Sequence, residues 1–434
     1  MTPLTVRCYA AAIASAKIGT GFFFLINTWL VIELTGRPAS GAVALVVTIL
    51  PSLLLSPLIG LVVDRSQPAR LAYRAELLRW LTLVFYAALY GAGLASEGLA
   101  YAVGFCIALG NEVQLLAWRA ALTRSVPAGQ LLRLNALTVI GGQTGQILGA
   151  AASGIVLAMA GAVPTLALTG TTYLVSAGFG ALVSRRLGLA KPAAATGGRG
   201  LGRHFRELRA GIAHILQRPE ISFFYLLILA NLTVIFGING MLAPFVREEL
   251  QLGPRAFGQI DAGYALGAIL SGLAIARLAE RFGRRPILVA GFVTMATSLA
   301  AFSQTHGLVP ACLTYVGLGI SFQTTVLALS LAQQATDPAF QGRVNATFST
   351  LNGLAGLIIY ALVALSAGHH LYRQLYLGQA AIMLALVPVI LIASRRGRIG
   401  QLLQPAAIQP KGTLNYEDFN RLERRRPNQP MARW

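Results

Sequence analysis

Gly60-Leu-Val-Val-Asp64-Arg65-Ser-Gln-Pro-Ala-Arg70 and Ala276-Arg-Leu-Ala-Glu280-Arg281-Phe-Gly283-Arg284-Arg285 are two copies of one short charged text, with their acidic residues 216 positions apart. A second text is also written twice. Pro127-Ala-Gly-Gln130-Leu-Leu-Arg133-Leu-Asn135-Ala136 recurs as Pro338-Ala-Phe-Gln341-Gly-Arg343-Val-Asn345-Ala346, with the asparagines 210 positions apart. Two unrelated loops repeated at nearly one offset make the chain two homologous halves. Apolar runs of membrane length flank every copy, so the repeated unit is a set of spanning helices.

Composition agrees with that reading. The 434 residues are 55% hydrophobic and only 12% charged, where soluble domains carry about 25%, and the mean hydropathy is +0.64. Apolar stretches fall at 8–33, 41–63, 72–95, 99–121, 136–160, 165–184, 220–246, 257–276, 286–304, 308–333, 345–367 and 375–393. The expectation is an all-α membrane protein with twelve transmembrane helices in two six-helix bundles. The bundles are expected at 1–184 and 220–394, with a linker at 185–219 and a tail at 395–434. The first stretch is too long for a cleaved leader and is expected to remain as a span. In the linker, Phe205-Arg-Glu-Leu-Arg-Ala-Gly-Ile-Ala-His-Ile-Leu216 has apolar residues at helical spacing with basic ones opposite, which predicts an amphipathic surface helix. The tail after Ser394 is polar and predicts disorder. Cys8, Cys106 and Cys312 have neither metal-ligand nor disulfide spacing and are expected to be small packing residues.

A net charge of +20 raises the question of nucleic acid, and the placement of that charge answers it. If both termini share one side, 30 of the 35 basic residues fall on that side and Arg37, Arg247, Arg255 and Arg373 on the other, with Lys17 inside a span. Such a split is the positive-inside pattern. It predicts cytoplasmic termini in a bacterial inner membrane, and no nucleic-acid partner. Two homologous halves of spanning helices are also how many secondary transporters are built, with the substrate between the repeats. No nucleotide loop, metal cluster or nucleophile constellation is present, so neither an enzyme nor a cofactor is expected. A static scaffold has no use for a matched pair of charged loops.

The charged texts resemble the Gly-x-x-x-Asp-Arg-x-Gly-x-Arg-Arg signature of the major facilitator superfamily, loosely at Pro68, Ala69 and Ala276. Further stretches are similar to bacterial exporters of the enterobactin-exporter and macrolide-efflux subgroup. They are Trp29-Leu-Val-Ile-Glu33-Leu-Thr-Gly36, Ala75-Glu76-Leu-Leu-Arg79, the run from Val126 to Ala136, the Arg206–Pro219 helix and Gly342-Arg343-Val. The resemblance implies the major facilitator fold, alternating access by rocking of the bundles, and proton-driven export of small molecules. It also implies departures. The fifth span has Ala150 after Gly149 where antiporters carry a Gly-Pro pair, and Gly19-Thr20 stands where the exporters often have Gly-Asp.

Individual residues sharpen the expectation. Gly60, Asp64, Arg65 and Arg70, echoed by Glu280, Arg281, Arg284 and Arg285, are candidate gate residues, with Asp64 pairing with Arg119, Arg124 or Arg70. Small residues every fourth position, Gly141, Gly145, Gly149 and Ser153, and again Gly263, Gly267 and Ser271, predict close helix packing. Ionisable groups inside spans are costly and mark function. Lys17 and Glu112, beside Asn111, are expected at one depth and as a pair. Asp261, Asn231, Asn239 and Gln323 complete the candidate substrate- or proton-binding set, while Gln143, Gln146 and Asn352 are read as interhelical glue, Glu76 and Arg79 as a support pair, and His369-His370 as an exposed loop. The expected protein is a monomeric, proton-coupled exporter of a small polar metabolite, such as a carboxylate siderophore. A polyspecific drug exporter is the alternative.

Overall fold

The computed structural model describes residues 3–126, 128–187, 201–337, 340–366, 371–395 and 397–404, and within them it holds helices and no strand. A chain this apolar has little choice, because every backbone N–H and C=O in lipid must be satisfied within its own segment. The first half runs α1 (Pro3–Thr35), α2 (Ala39–Leu50), α3 (Ser56–Arg65), α4 (Pro68–Gly91), α5 (Glu97–Ser125), α6 (Ala128–Ala160) and α7 (Ala162–Leu187). After α8 (Leu201–Leu216) come α9 (Pro219–Pro244), α10 (Pro254–Phe282), α11 (Arg284–Ser303), α12 (Leu308–Ala335), α13 (Gln341–Ser366), α14 (Tyr372–Ala393) and α15 (Gly397–Leu403).

Among the described residues, eight helices are long and apolar enough to cross a membrane, and α2 with α3 makes a ninth as one bent span. α4, α6 and α10 account for the rest of the twelve expected segments without meeting that measure. α4 carries Arg70, Arg74, Glu76 and Arg79 along its first half, which lowers its hydropathy. The expected span 41–63 is not straight. A π-helical segment, Pro51–Leu55, separates its parts and they meet at 59°. Proline removes an N–H and clashes with the preceding turn, so a break is placed there. Pro244 similarly ends α9 in a π-helical segment, Phe245–Glu249.

α1 lies against α6 and α7, α4 against α5 and α7, α10 against α12, and α11 against α12 and α14. The glycine ridges explain two of these contacts. A side chain on Gly149 would collide with the Ile18 carbonyl, and one on Gly145 would stand 2.9 Å from that of Ala14. Gly267 abuts the Val316 carbonyl in the same way, and Gly263 that of Cys312. Gly141 differs from the expectation: nothing lies within 4 Å of where its side chain would be.

The halves meet through α6 on α10 and α2 on α13. We call the face bearing the α3–α4, α5–α6 and α10–α11 connections the basic face, and the opposite one the outer face. Toward the outer face Gly154 and Gly258 touch backbone to backbone, and Trp29 stacks on Phe257 at 5.8 Å. One apolar cluster runs through both halves, including Leu30, Tyr86, Phe224 and Phe257. Near the basic face the first half has its own cluster around Tyr9, Val63, Trp118 and Leu122. α8 is amphipathic and lies on α13 and α9, with His214 stacked on Phe340 at 4.2 Å. Residues 188–200 of the linker, His369-His370 and the tail from 405 lie outside the described residues.

Candidate functional site

α1 and α5 bring their polar positions to the same level. Lys17 Nζ donates to Asn111 Oδ1 at 3.0 Å, and the lysine stem lies along Gly142 and Gly145 of α6, where the lack of side chains makes room for it. Glu112, the next residue of α5, accepts instead from Ser56 Oγ at 2.8 Å, at the bend of α2 and α3. The expected Lys17–Glu112 pair is therefore not a direct ion pair: among the described residues no contact within 4 Å joins them. Successive residues on a helix point about 100° apart, so Asn111 turns to α1 while Glu112 turns to α3. A cation and a carboxylate thus stand near one another, each held by a neutral partner and each with hydrogen-bonding capacity left over.

One turn further along α1 is a second, closed set. Arg79 Nη1 reaches Glu76 Oε1 at 2.9 Å, its Nη2 donates to Thr20 Oγ1 at 2.9 Å, and its guanidinium lies 3.7 Å over the Tyr173 ring. Both charged side chains are fully buried. Arg79 belongs to the bundle interior, and not to the surface charge it was grouped with from sequence. Thr20, at the position where the resembled exporters often carry an acid, serves Arg79 as a neutral acceptor.

At the basic face Arg124 Nη2 meets Asp64 Oδ1 at 2.9 Å, joining the end of α3 to the end of α5. Gly60 has open space on its side-chain side, and Arg65 and Arg70 are exposed. The echo in the second half is built differently. Arg284 donates to the Leu402 carbonyl at 2.9 Å and to Gln334, tying α15 to α11, while Glu280 and Arg281 are exposed. Arg285 is partly buried. We expect Asp64→Asn to reduce flux severalfold with normal membrane insertion, and to raise cysteine labelling at the basic mouth. Wild-type flux together with unchanged labelling would remove Asp64 from the gate.

In the second half Asn231 is fully buried, its Nδ2 donating to Leu227 of its own helix and its Oδ1 without a hydrogen bond. Asn239 lies against Tyr360. Asp261 sits on α10 beside Tyr264 and Tyr315. The side chains of Gln323, Gln143, Gln130, Arg133, Asn135, Arg343 and Asn345 lie outside the described residues. Sequence reasoning missed Thr20 and Tyr173 as partners of Arg79, and the Gly154–Gly258 and Trp29–Phe257 contacts. Each joins residues far apart in the chain that carry no local signal.

Residues 224–427 match the family model described as Major Facilitator Superfamily. No curated protein sequence matches the chain. Among solved structures, the nucleoside transporter NupG, as a point mutant, superposes with a TM-score of 0.68 at 14% identity, covering 90% of this chain and 99% of that one. An auto-inhibited peptide transporter of the POT family gives 0.67 at 13% identity, covering 91% and 98%. A bacterial homolog of the human lysosomal transporter Spinster, inward-facing and unoccupied, gives 0.57 at 15% identity, covering 90% and 96%. The family model spans 204 of the 434 residues, and the solved structures share the fold of this chain over nine-tenths of its length.

Proposed function

We propose that the whole chain is a secondary active transporter of the major facilitator type, with twelve spans in two bundles at 1–184 and 220–394. It exports a small polar metabolite bearing a carboxylate, as a siderophore of that class does, in exchange for protons. The basic face is cytoplasmic, since 29 of the basic residues grouped there remain once the buried Arg79 is removed from the 30. Both termini then lie in the cytoplasm of a bacterial inner membrane, where export begins. The contacts at Gly154–Gly258 and Trp29–Phe257 close the outer side, so this conformation loads from the cytoplasm.

One observation carries the reading: Lys17 and Glu112 belong to one level of α1 and α5, yet each is held by a neutral neighbour. An unpaired cation at that depth has to find a counter-charge, and the cargo's carboxylate supplies it. Glu112 takes up a proton after the cargo has left and gives it up before the next cargo binds, so the two pass in opposite directions. Lys17→Ala should weaken a carboxylate siderophore about 10-fold to 150-fold, the value of one charge-assisted hydrogen bond. Its neutral amide analogue should bind as before. Equal losses for both ligands would reject the anion site. Glu112→Gln should keep binding but abolish accumulation against a gradient, and normal accumulation would reject its proton role. Comparable affinity for unrelated lipophilic cations would favour a polyspecific drug exporter.

A further inference from the structure

We propose that Ser56 is a positioning residue through which the proton on Glu112 sets the bend of the second span: with Glu112 protonated the span is held bent, and with Glu112 ionised it straightens. The inference rests on Glu112 as the proton carrier and names how that proton moves the chain.

The bend is built from residues that leave a carbonyl short of a donor. The π-helical segment Pro51–Leu55 runs into Ser56 and Pro57, and a proline brings no N–H to the turn before it. The Ser56 hydroxyl supplies a donor there, reaching back to the Ser52 carbonyl at 2.5 Å. Such back-bonding, from a serine to the carbonyl four residues earlier, bends a helix. The same hydroxyl oxygen lies 2.8 Å from Glu112 Oε1.

A hydroxyl has one proton to give and two lone pairs to offer. Ser56 therefore cannot donate to the Ser52 carbonyl and to a carboxylate at once. An ionised Glu112 only accepts, and its charge-assisted bond is the stronger, so it draws the hydroxyl proton away from Ser52. A protonated Glu112 is itself a donor. Its O–H then points at the Ser56 oxygen, and the hydroxyl returns to the Ser52 carbonyl. Only the proton bound at Glu112 is exchanged with solution, and the serine proton changes its acceptor without leaving the oxygen.

The bend is also where the span changes its attachments. α3 is tied to α5 at both ends, by Ser56 to Glu112 and by Asp64 to Arg124, whereas α2 packs on α13 and α9 of the second half as well as on α1 and α5. A change of angle at Ser56 thus turns α3 and α5 against the seam between the halves. Few titratable groups face Glu112. Lys17 of α1 is the charge beside it. α2 and the π-helical segment contain no titratable residue, and those of α3 are Asp64 and Arg65 at its far end. Gly110 of α5 receives the Arg79 stem from α4, and Glu112, two residues on, points to the opposite side of the helix. α6 carries only Arg133, near its basic-face end, and Arg119 of α5 itself is two turns away.

The test uses the full chain in lipid nanodiscs, with Cys8, Cys106 and Cys312 replaced by alanine. Spin labels at Leu34→Cys, beside the start of α2, and Val62→Cys, near the end of α3, occupy exposed positions that bracket the bend. Infrared difference spectra between high and low pH read the proton on Glu112 through the carboxyl band that Glu112→Gln removes. In the wild type that band should grow as pH falls, and the distance should shorten with it. Ser56→Ala lacks the back-bond, so its distance should stay long at every pH while the band still titrates. Glu112→Gln, whose amide N–H donates as the protonated acid does, should stay short. Ser56→Thr keeps a hydroxyl and should restore the response. A distance that still follows pH in Ser56→Ala, or that is fixed in the wild type while the band titrates, overturns the role of Ser56 and leaves Glu112 as the proton carrier. A band missing from the wild type overturns the proton reading of Glu112 and this inference with it.

Discussion

Arg79→Met should remove most of the folded protein from the membrane. The substitution leaves Glu76 fully buried, deprived of the donor that holds its Oε1 at 2.9 Å. Removing one partner of a buried ion pair costs about 3–5 kcal/mol, because an uncompensated charge stays behind. With neither group exposed, solvent screening does not soften that cost, and it is a large share of the ~5–15 kcal/mol that holds a typical domain together. The Thr20 hydrogen bond and the cation–π contact with Tyr173 are lost as well. Glu76→Leu combined with Arg79→Met should recover most of the lost protein, since an apolar pair of similar volume leaves no buried charge. The check is the yield of monodisperse protein after detergent extraction. Equal yields for Arg79→Met and wild type would show that the pair contributes little. A double variant no better than the single one would place the cost in the contacts with Thr20 and Tyr173.

Gly258→Val should hold the outer side open. The backbones of α6 and α10 touch at Gly154 and Gly258, so a side chain on either would overlap the other helix. Both contacts are with main-chain atoms, which cannot rotate away as a side-chain end can. Overpacking of this kind costs about 1–3 kcal/mol. Because the cost falls on the closed state alone, it shifts the equilibrium about 5-fold to 150-fold toward the open one. Spin-label distances across the outer mouth should lengthen, and flux should fall because the cytoplasm-facing state becomes rare. Gly258→Ala should give a smaller change in the same direction. Unaltered distances in Gly258→Val would mean that the contact does not form part of the closed state.

The pattern of apolar runs determined, by itself, that the chain is helical with several membrane-length segments, and the twice-written loops set the expectation of two related halves. Those properties are local or periodic: a run of about 20 apolar residues forms a helix in lipid whatever surrounds it, and a repeat is visible as text. Chain order likewise placed Lys17, Asn111 and Glu112 within polar reach, because depth follows from distance along each helix. Only the tertiary structure decided which groups pair. Rotation about a helix axis separates Asn111 from Glu112, sending one to Lys17 and the other to Ser56. The bend at Pro51 swings α3 into place for Ser56, and no count of apolar residues discloses its 59°. The same holds for the two charged loops, alike as text. Asp64 finds Arg124 of α5, whereas Arg284 finds the end of α15, because the neighbours of the two copies are not duplicated. Gly154 and Gly258 are ordinary residues of their own helices. Their meaning arises where two bundles touch, a contact between surfaces that neither half specifies alone.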